Sequence, residues 1–215
     1  MTALTHSRSR PGDPRPMILR STLTSPYGRK ARMAAQVLAL DHLIEVVPAD
    51  AQDPDDDLRL QNPLGKMPCL IVGGDIYFDS RVILHYFDAL AGGGRLLPEQ
   101  GEERFRLLTF EALADGITDA SLLITYEGRF REAHQVSERW LEHQRGKVVR
   151  GLAACQKALP DPAVTNLASI ALSAALGYLD WRRHLPWRQD FPVLAAWLEA
   201  YAASEPSFNA TRSPA

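Results

Sequence analysis

The chain has 215 residues, 46% of them hydrophobic and 23% charged, and its formal net charge is −2 at pH 7. This is an ordinary composition for a globular protein of one or two domains. The charge disfavours a nucleic-acid partner, which normally requires a basic face, and no apolar run is long enough to predict a membrane partner.

Cysteine and histidine are sparse along the chain. The two cysteines, Cys69 and Cys155, are far apart and form neither a disulfide framework nor a zinc-binding pattern. Lone cysteines are typical of a reducing compartment, so a cytoplasmic location is predicted. None of the six histidines has a ligand spacing such as HxxxH, and no metal site is expected.

Residues 1–16 are rich in Arg, Ser and Pro and nearly devoid of apolar side chains. We interpret them as a disordered tail, because such a segment buries too little apolar surface to offset the entropy of ordering. A transit peptide is the alternative, and it is disfavoured because the segment is short and interrupted by proline.

The first predicted unit is a strand, a helix and a parallel strand, at residues 18–22, 26–40 and 43–47. Ser25 is a favoured N-cap and Pro26 a favoured first helical residue. The free N–H groups and positive dipole end beside Ser25 could therefore hold an anion. A capping role alone is the alternative interpretation of Ser25.

Three basic side chains of this helix, Arg29, Lys30 and Arg32, lie mostly off its apolar stripe. The stripe consists of Ala31, Ala34, Ala35 and Leu38. Charged side chains opposite an apolar stripe normally face water, so we interpret the three cations as a solvated face rather than a phosphate site.

Residues 50–64 are polar and acidic and indicate a loop with at most a short helix. A calcium site is disfavoured there because EF-hand spacing is absent. Residues 69–78 predict a hairpin, since a central Gly-Gly pair supplies the positive φ angles of a two-residue turn. Asp79 or Ser80 then caps another helix with a clear apolar stripe.

After residue 102 the pattern changes to helices without a further strand signal. Four helices are predicted, at residues 103–130, 137–158, 166–181 and 192–203. The predicted organisation is a tail at 1–16, an α/β domain at 17–92, a linker at 93–102 and an all-helical domain at 103–210. The α/β domain is too small to bury much surface by itself, so we expect it to depend on the helical domain.

The segment Asn-Pro-Leu-Gly-Lys-Met-Pro at residues 62–68 leads into the hairpin. A cis bond before Pro68 would turn the backbone of Met67 toward open space, where an extended peptide could pair with it. Asp79 and Ser80 begin the next helix and could bind a carboxylate and an amine. Together with Ser25, these pieces suit a small peptide-like ligand.

At these residues the chain resembles the glutathione transferase family. The resemblance extends over about residues 17–207 and rests on residues 24–27, 62–68, 79–80 and 206–208. The Ser-Pro-aromatic signature is most similar to serine-type members, such as the plant tau class and related bacterial proteins. It implies a thioredoxin-like N-terminal domain of βαβ–ββα order, an all-helical C-terminal bundle and a homodimer.

The resemblance also implies roles for individual residues. Ser25 corresponds to the catalytic serine, and Lys66 to the residue that reaches the glycine carboxylate of glutathione. The remaining glutathione-binding residues are Met67 beside a cis Pro68, for the cysteinyl backbone, and Asp79 with Ser80, for the γ-glutamyl end. Many members carry Glu where this chain has Asp79. The family's Ser/Thr-x-x-Asp capping box corresponds here to Thr165 with Ala168, which predicts an incomplete box.

A thiol with a pKa of about 8.5 is mostly protonated at pH 7, and only its thiolate is a good nucleophile. A hydroxyl that donates to the thiolate contributes about 1.5–3 kcal/mol, or roughly one to two pKa units. Ser25 is therefore predicted to stabilise an anion and need not be a covalent nucleophile. Cys69 is the rival nucleophile, and it is disfavoured because it directly follows Pro68 and should point into the sheet.

An acceptor site is expected between the domains. Asp119, Tyr126 and Arg129 share one stripe of the first long helix, and Tyr27 could contribute from the opposite wall. A solvated or dimer-facing edge is the alternative for this stripe. If the stripe lines the cleft, a partly polar acceptor is favoured.

The predicted function is a glutathione transferase that uses glutathione as co-substrate against a small hydrophobic or partly polar electrophile, as in detoxification. The alternative is a glutathione-binding or protein-interaction module that keeps the fold without turnover. A thioredoxin-type disulfide reductase is disfavoured because Ser25 stands where a reactive cysteine would be needed.

Overall fold

The computed structural model describes residues 16–214, so the tail predicted at residues 1–16 lies almost entirely outside the described residues. The described chain begins with strand β1 at Met17–Arg20, helix α1 at Pro26–Val37 and strand β2 at Ile44–Val47. β1 and β2 are parallel, as predicted, and Met17 lies opposite Ile44.

A four-stranded sheet is completed by β3 at Cys69–Val72 and β4 at Asp75–Tyr77, in the order β2-β1-β3-β4. β3 is antiparallel to β1 and forms a hairpin with β4. The hairpin turns at two glycines with positive φ, as predicted. Short helix α2, at Leu58–Gln61, precedes the hairpin, and α3, at Ser80–Leu90, follows it.

The remainder of the described chain is helical. The helices are α4 at Glu102–Phe130, α5 at Glu138–Lys157, α6 at Leu167–Arg182, α7 at Trp187–Asp190, α8 at Pro192–Ser204 and α9 at Pro206–Ala210. The short helices α7 and α9 were not predicted, since four or five residues show no periodicity. A βαβ–ββα sheet domain followed by a helical region confirms the predicted fold class.

Helix α6 lies at the centre of the helical region, where α4 and α1 both contact it. Its N-cap is Asn166, whose Oδ1 accepts from the N–H groups of Ala168 (3.0 Å) and Ser169 (3.1 Å). The Ser169 hydroxyl accepts in turn from the Asn166 N–H at 2.8 Å. The prediction of an incomplete box at Thr165 and Ala168 was wrong, because the cap begins one residue later and the box is complete.

The interpretation of the α1 cations as a solvated face was also wrong. Arg29 and Lys30 are 4% and 1% exposed, and Arg32 is half-buried. α1 packs against α3, α6 and α9. A helix buried on more than one face has no free face for charges, and a single apolar stripe cannot reveal this.

Helices long and apolar enough to cross a membrane are absent from the part of the chain that the structure describes.

Candidate active site

Ser25 ends the loop between β1 and α1 and is the N-cap of α1, as predicted. Its Oγ accepts a hydrogen bond of 3.1 Å from the N–H of Gly28, and its side chain is half-buried. Capping occupies a lone pair of the oxygen and leaves the hydroxyl proton unused. Within residues 16–214 this proton is donated to no other group, so Ser25 can cap the helix and donate to a ligand at once.

Gly28 allows the first turn of α1 to lie against the end of β1. A Cβ atom at Gly28 would come within 1.8 Å of the Ser21 hydroxyl oxygen and 3.0 Å of its Cβ. Any side chain there would push the helix start, and with it Ser25, away from the sheet.

The segment before β3 lies beside the Ser25 loop. β1 and β3 pair Arg20 with Cys69, and continuing this antiparallel register brings Met67 next to the residues that lead to Ser25. The Met67–Pro68 peptide bond is cis, as predicted. Among the described residues the N–H and C=O of Met67 have no hydrogen-bond partner, so this backbone is available to an extended ligand.

Asn62 fixes the loop that carries Lys66. Its buried side chain donates to the Lys66 carbonyl at 2.8 Å and accepts from the Leu64 N–H at 3.0 Å. Gly65 adopts a φ of 60° within this turn. Lys66 itself is exposed. The role of Asn62 was missed, although it belongs to the motif at residues 62–68.

A second anchor of this region is Arg20, also missed from sequence. Its guanidinium pairs with Asp56 at 2.7 Å and donates to Gln61 at 3.0 Å, which joins the polar loop to the end of β1. The backbone N–H groups of Asp50 and Leu58, followed by Arg20, hold the pKa of Asp56 below its usual range.

Asp79 is the N-cap of α3, and its carboxylate accepts from the Arg81 N–H at 3.0 Å. Asp79 is exposed whereas Ser80 is buried at 3% exposure, and the peptide bond between Phe78 and Asp79 is cis. An exposed carboxylate and a helix N-terminus thus stand together, as the sequence indicated.

A buried charge network connects the sheet domain to α4. Lys30 Nζ contacts carboxylate oxygens of Glu111 at 2.9 Å and Asp115 at 2.7 Å. Arg81 Nε contacts the second oxygen of Asp115 at 2.8 Å, and this hydrogen bond raises the pKa of Arg81. Two cations and two carboxylates balance each other, and they hold the start of α3 against α4.

Tyr27 and Asp119, two of the predicted acceptor-site residues, are brought together across the domain boundary. The Tyr27 hydroxyl donates to the Asp119 carboxylate. Burial first, and then this hydrogen bond, raise the pKa of Tyr27, so the phenol stays protonated.

The other two predicted acceptor residues lie further along α4. Arg129 is exposed, with its Cζ 5.3 Å from the centre of the Tyr126 ring, and that ring meets Phe130 edge-on at 5.2 Å. Tyr126 follows Asp119 by seven residues, which places it two turns away on the same face. No hydrogen bond or ring contact joins Tyr126 or Arg129 to Tyr27 in the described region.

The rival nucleophile, Cys69, is fully buried in β3. Burial raises the pKa of its thiol, which disfavours the thiolate that a nucleophile requires.

Comparison with known protein families gives one domain match. A sequence model described as glutathione S-transferase, N-terminal domain, matches residues 19–95. The chain is also 36% identical over 204 residues to a protein of Escherichia coli strain K12 named uncharacterized GST-like protein YibF. This match covers 92% of the chain and 99% of the relative.

Solved structures give the same picture. A glutathione transferase family member from Pseudomonas fluorescens Pf-5, with bound glutathione, is 38% identical with a TM-score of 0.85, over 93% of this chain and 100% of its own. That protein was also solved with bound S-(propanoic acid)-glutathione. A glutathione S-transferase from Methylobacillus flagellatus KT, with glutathione bound, is 35% identical with a TM-score of 0.82, over 92% and 100% of the two chains.

Proposed function

Because the chain belongs to the glutathione S-transferase family, as its predicted resemblance indicated, we propose that it binds glutathione and transfers it to a small electrophile. The relatives solved with bound glutathione support the ligand. The observation that carries the reaction is the Ser25 hydroxyl, held at a helix N-terminus with its proton free to donate.

In the proposed reaction the thiol of glutathione loses its proton to solvent, and the sulfur is held as a thiolate beside Ser25. The hydroxyl donates to the sulfur and contributes about 1.5–3 kcal/mol, and the end of the α1 dipole adds about 0.3–1 kcal/mol. The sum lowers the thiol pKa by roughly one to three units, enough for at least about half ionisation near pH 7. The thiolate then attacks the electrophilic carbon, and a carbon–sulfur bond forms as the leaving group departs.

In the same proposal, glutathione lies along the Ser25 loop, the loop that carries Lys66 and Met67, and the start of α3. The free backbone of Met67 beside Pro68 would pair with the cysteinyl part, and Lys66 would reach the glycine carboxylate. Asp79 and the buried Ser80 would receive the γ-glutamyl end at the start of α3.

The electrophile would enter between Tyr27 and the outward face of α4. The hydrogen bond from Tyr27 to Asp119 supports a polar wall at this entrance, and Tyr126 and Arg129 extend it. Such a wall suits an acceptor with a polar substituent, and a relative solved with S-(propanoic acid)-glutathione is consistent with this choice.

We further propose a cytoplasmic homodimer that acts in detoxification. Leu60, Leu64 and Phe105 are apolar side chains with 84%, 68% and 66% of their surface exposed, which favours a partner that covers them.

The proposal is tested by measuring glutathione binding by calorimetry and turnover with an activated aryl chloride and a Michael acceptor. Binding with turnover of either electrophile supports the transferase. Binding without turnover of any electrophile would support the alternative, a glutathione-binding or protein-interaction module.

A further inference from the structure

A cavity of about 310 Å³ lies between α1, α6, α8 and the C-terminal segment. None of the residues assigned to glutathione lines it. Its wall is mainly charged and aromatic, and it includes Arg29, Trp181, Arg188, Glu199, Phe208 and Arg212. The volume is at the lower end of the range of small-ligand sites.

The inner wall of the cavity carries the buried guanidinium of Arg29, a residue only 4% exposed. Its Nη2 donates to the Phe208 carbonyl at 2.7 Å and its Nε to the Thr211 hydroxyl at 3.4 Å. Nη1 lies against Gly177, where an added Cβ would come within 2.2 Å of it, and Gly177 itself lines the cavity.

The charge of Arg29 has no carboxylate partner among the described residues. Within residues 16–214 the Nη1 of Arg29 donates to no group, so its N–H groups are left for an added acceptor. Asp180 favours the charged form of Arg29 only from beyond salt-bridge distance, and it is itself paired with Arg188. Burial of this cation is therefore unfavourable, and a bound anion would relieve it. Desolvation, then Arg32 and Arg212, lowers the pKa of Arg29 to about 10, and the group is still charged at neutral pH.

The other charges of the cavity leave it net positive. Asp180 and Glu199 both line it, but Arg188 pairs with each of them at 2.7 Å. Arg29 and Arg212 stand over the same Phe208 ring, with Cζ atoms 4.2 and 5.6 Å from its centre. Three guanidinium groups thus face two carboxylates, and the two cations that share one ring have no acidic partner among the described residues.

We propose that this cavity binds a small oxyanion, a carboxylate or phosphate group, between Arg29 and Arg212. A planar guanidinium fork matches the two oxygens of such a group, and charge-assisted hydrogen bonds of this kind are strong. Trp181 and Phe208 would contact an apolar body attached to the anion.

The test is calorimetric titration of the full chain with inorganic phosphate and with benzoate, at constant ionic strength balanced with chloride. Saturable binding at one site is expected for both, with benzoate tighter because its ring contacts the aromatic wall. Arg212→Gln should weaken binding about tenfold through loss of one charge-assisted contact, and Arg29→Met should abolish it.

Two further variants locate the site. Arg139→Gln, an exposed arginine of α5, controls for general charge and should bind as the wild type does. Lys66→Gln should also leave binding unchanged. The proposal is overturned if the wild type shows no saturation, if Arg212→Gln binds as the wild type does, or if Lys66→Gln loses binding. Arg212 is exposed at the rim of the cavity, so Arg212→Gln tests the proposal even if Arg29→Met does not fold.

Discussion

At the scale of single residues, the central feature is one oxygen with two compatible tasks. The Ser25 Oγ accepts from the Gly28 N–H, and its proton stays available to a thiolate. The cap holds the hydroxyl in place before a ligand arrives, so little rotamer freedom remains to be lost on binding. The two interpretations of Ser25 left open by the sequence, cap and anion ligand, are therefore not exclusive.

Ser25→Ala is expected to raise the apparent pKa of bound glutathione by about one unit or more, because a hydrogen bond to the thiolate is lost. Titration of the thiolate absorbance of bound glutathione measures the shift. The variant also loses the N-cap, which should cost about 1 kcal/mol of unfolding free energy in a denaturant titration.

Two controls separate these effects. Ser25→Thr keeps a hydroxyl at the cap and should retain most of the lowered pKa. Ser204→Ala, at the exposed end of α8, should leave the titration unchanged. Superimposable curves for the wild type and Ser25→Ala would remove Ser25 from the mechanism.

Tyr27→Phe is expected to raise the KM for a polar electrophile about two- to tenfold, because it removes the hydrogen bond to Asp119 and leaves that carboxylate unpaired. The affinity for glutathione should stay within about twofold. Steady-state kinetics with each substrate varied in turn separates the effect on the electrophile KM from the effect on glutathione affinity.

Tyr86→Phe is the matched control for this change, since the Tyr86 ring of α3 stacks on Tyr77 of β4 and its hydroxyl makes no hydrogen bond to Asp119. It should alter neither constant. A Tyr27→Phe variant that loses glutathione affinity and keeps its electrophile KM would contradict the acceptor-site proposal.

At the scale of elements, α1 links the two halves of the molecule. Its start carries Ser25, its middle carries the buried Lys30 and Arg29, and it packs against α3, α6 and α9. Movement of α6 or α4 would therefore be transmitted to the residue proposed to hold the thiolate.

Lys30→Met is expected to lower the free energy of unfolding by about 3–5 kcal/mol, because Glu111 loses its cation and Asp115 keeps only Arg81. Urea unfolding followed by circular dichroism measures the loss. Arg106→Gln, which breaks an exposed pair with Glu102, should cost less than about 1 kcal/mol. Equal losses in the two variants would show that the buried network contributes no more to the free energy of unfolding than an exposed ion pair does.

The contact between α4 and α5 depends on Gly151. A Cβ there would lie 2.5 Å from Ile117 Cγ1, so Gly151→Ala should destabilise the protein by about 1–3 kcal/mol. Gly128 of α4 faces open space, and Gly128→Ala should instead stabilise by up to about 1 kcal/mol through helix propensity. Thermal melts of both variants compare the two, and a shift of the same sign in both would refute the packing explanation.

At the scale of the whole molecule, the sheet domain relies on the helical region. Lys30 in α1 finds its counter-charges in α4, and Arg29 finds its carbonyl acceptor in α9. Without those helices, both cations would lie on a surface that also exposes small apolar residues of α1.

A fragment of residues 17–92 is accordingly expected to lack a cooperative unfolding transition. Its surface-to-volume ratio is unfavourable, and the partners of α1 are missing. Circular dichroism melts of the fragment and of the full chain provide the measurement. A sharp melt of the isolated fragment would contradict this dependence.

The sequence by itself determined the elements that local chemistry dictates. Strand β1, the hairpin with its glycine turn, the start of α1 at Ser25 and the long helices all follow from periodicity, turn residues and caps. The loop with Lys66 and Met67 and the helix start at Asp79 were also identified, because their residue types stand next to one another in the chain. The roles of these residues stay predictions.

Only the tertiary structure decided which charged side chains are buried and which groups they contact. Arg29 and Lys30 were predicted to face water because the apolar stripe of α1 indicates only one packing face. In the structure, three helices pack against α1 and bury both side chains. The partners of Lys30 are 81 and 85 residues away, and those of Arg29 are 179 and 182 residues away. Contacts over such separations arise when domains pack, and no local pattern in the sequence encodes them.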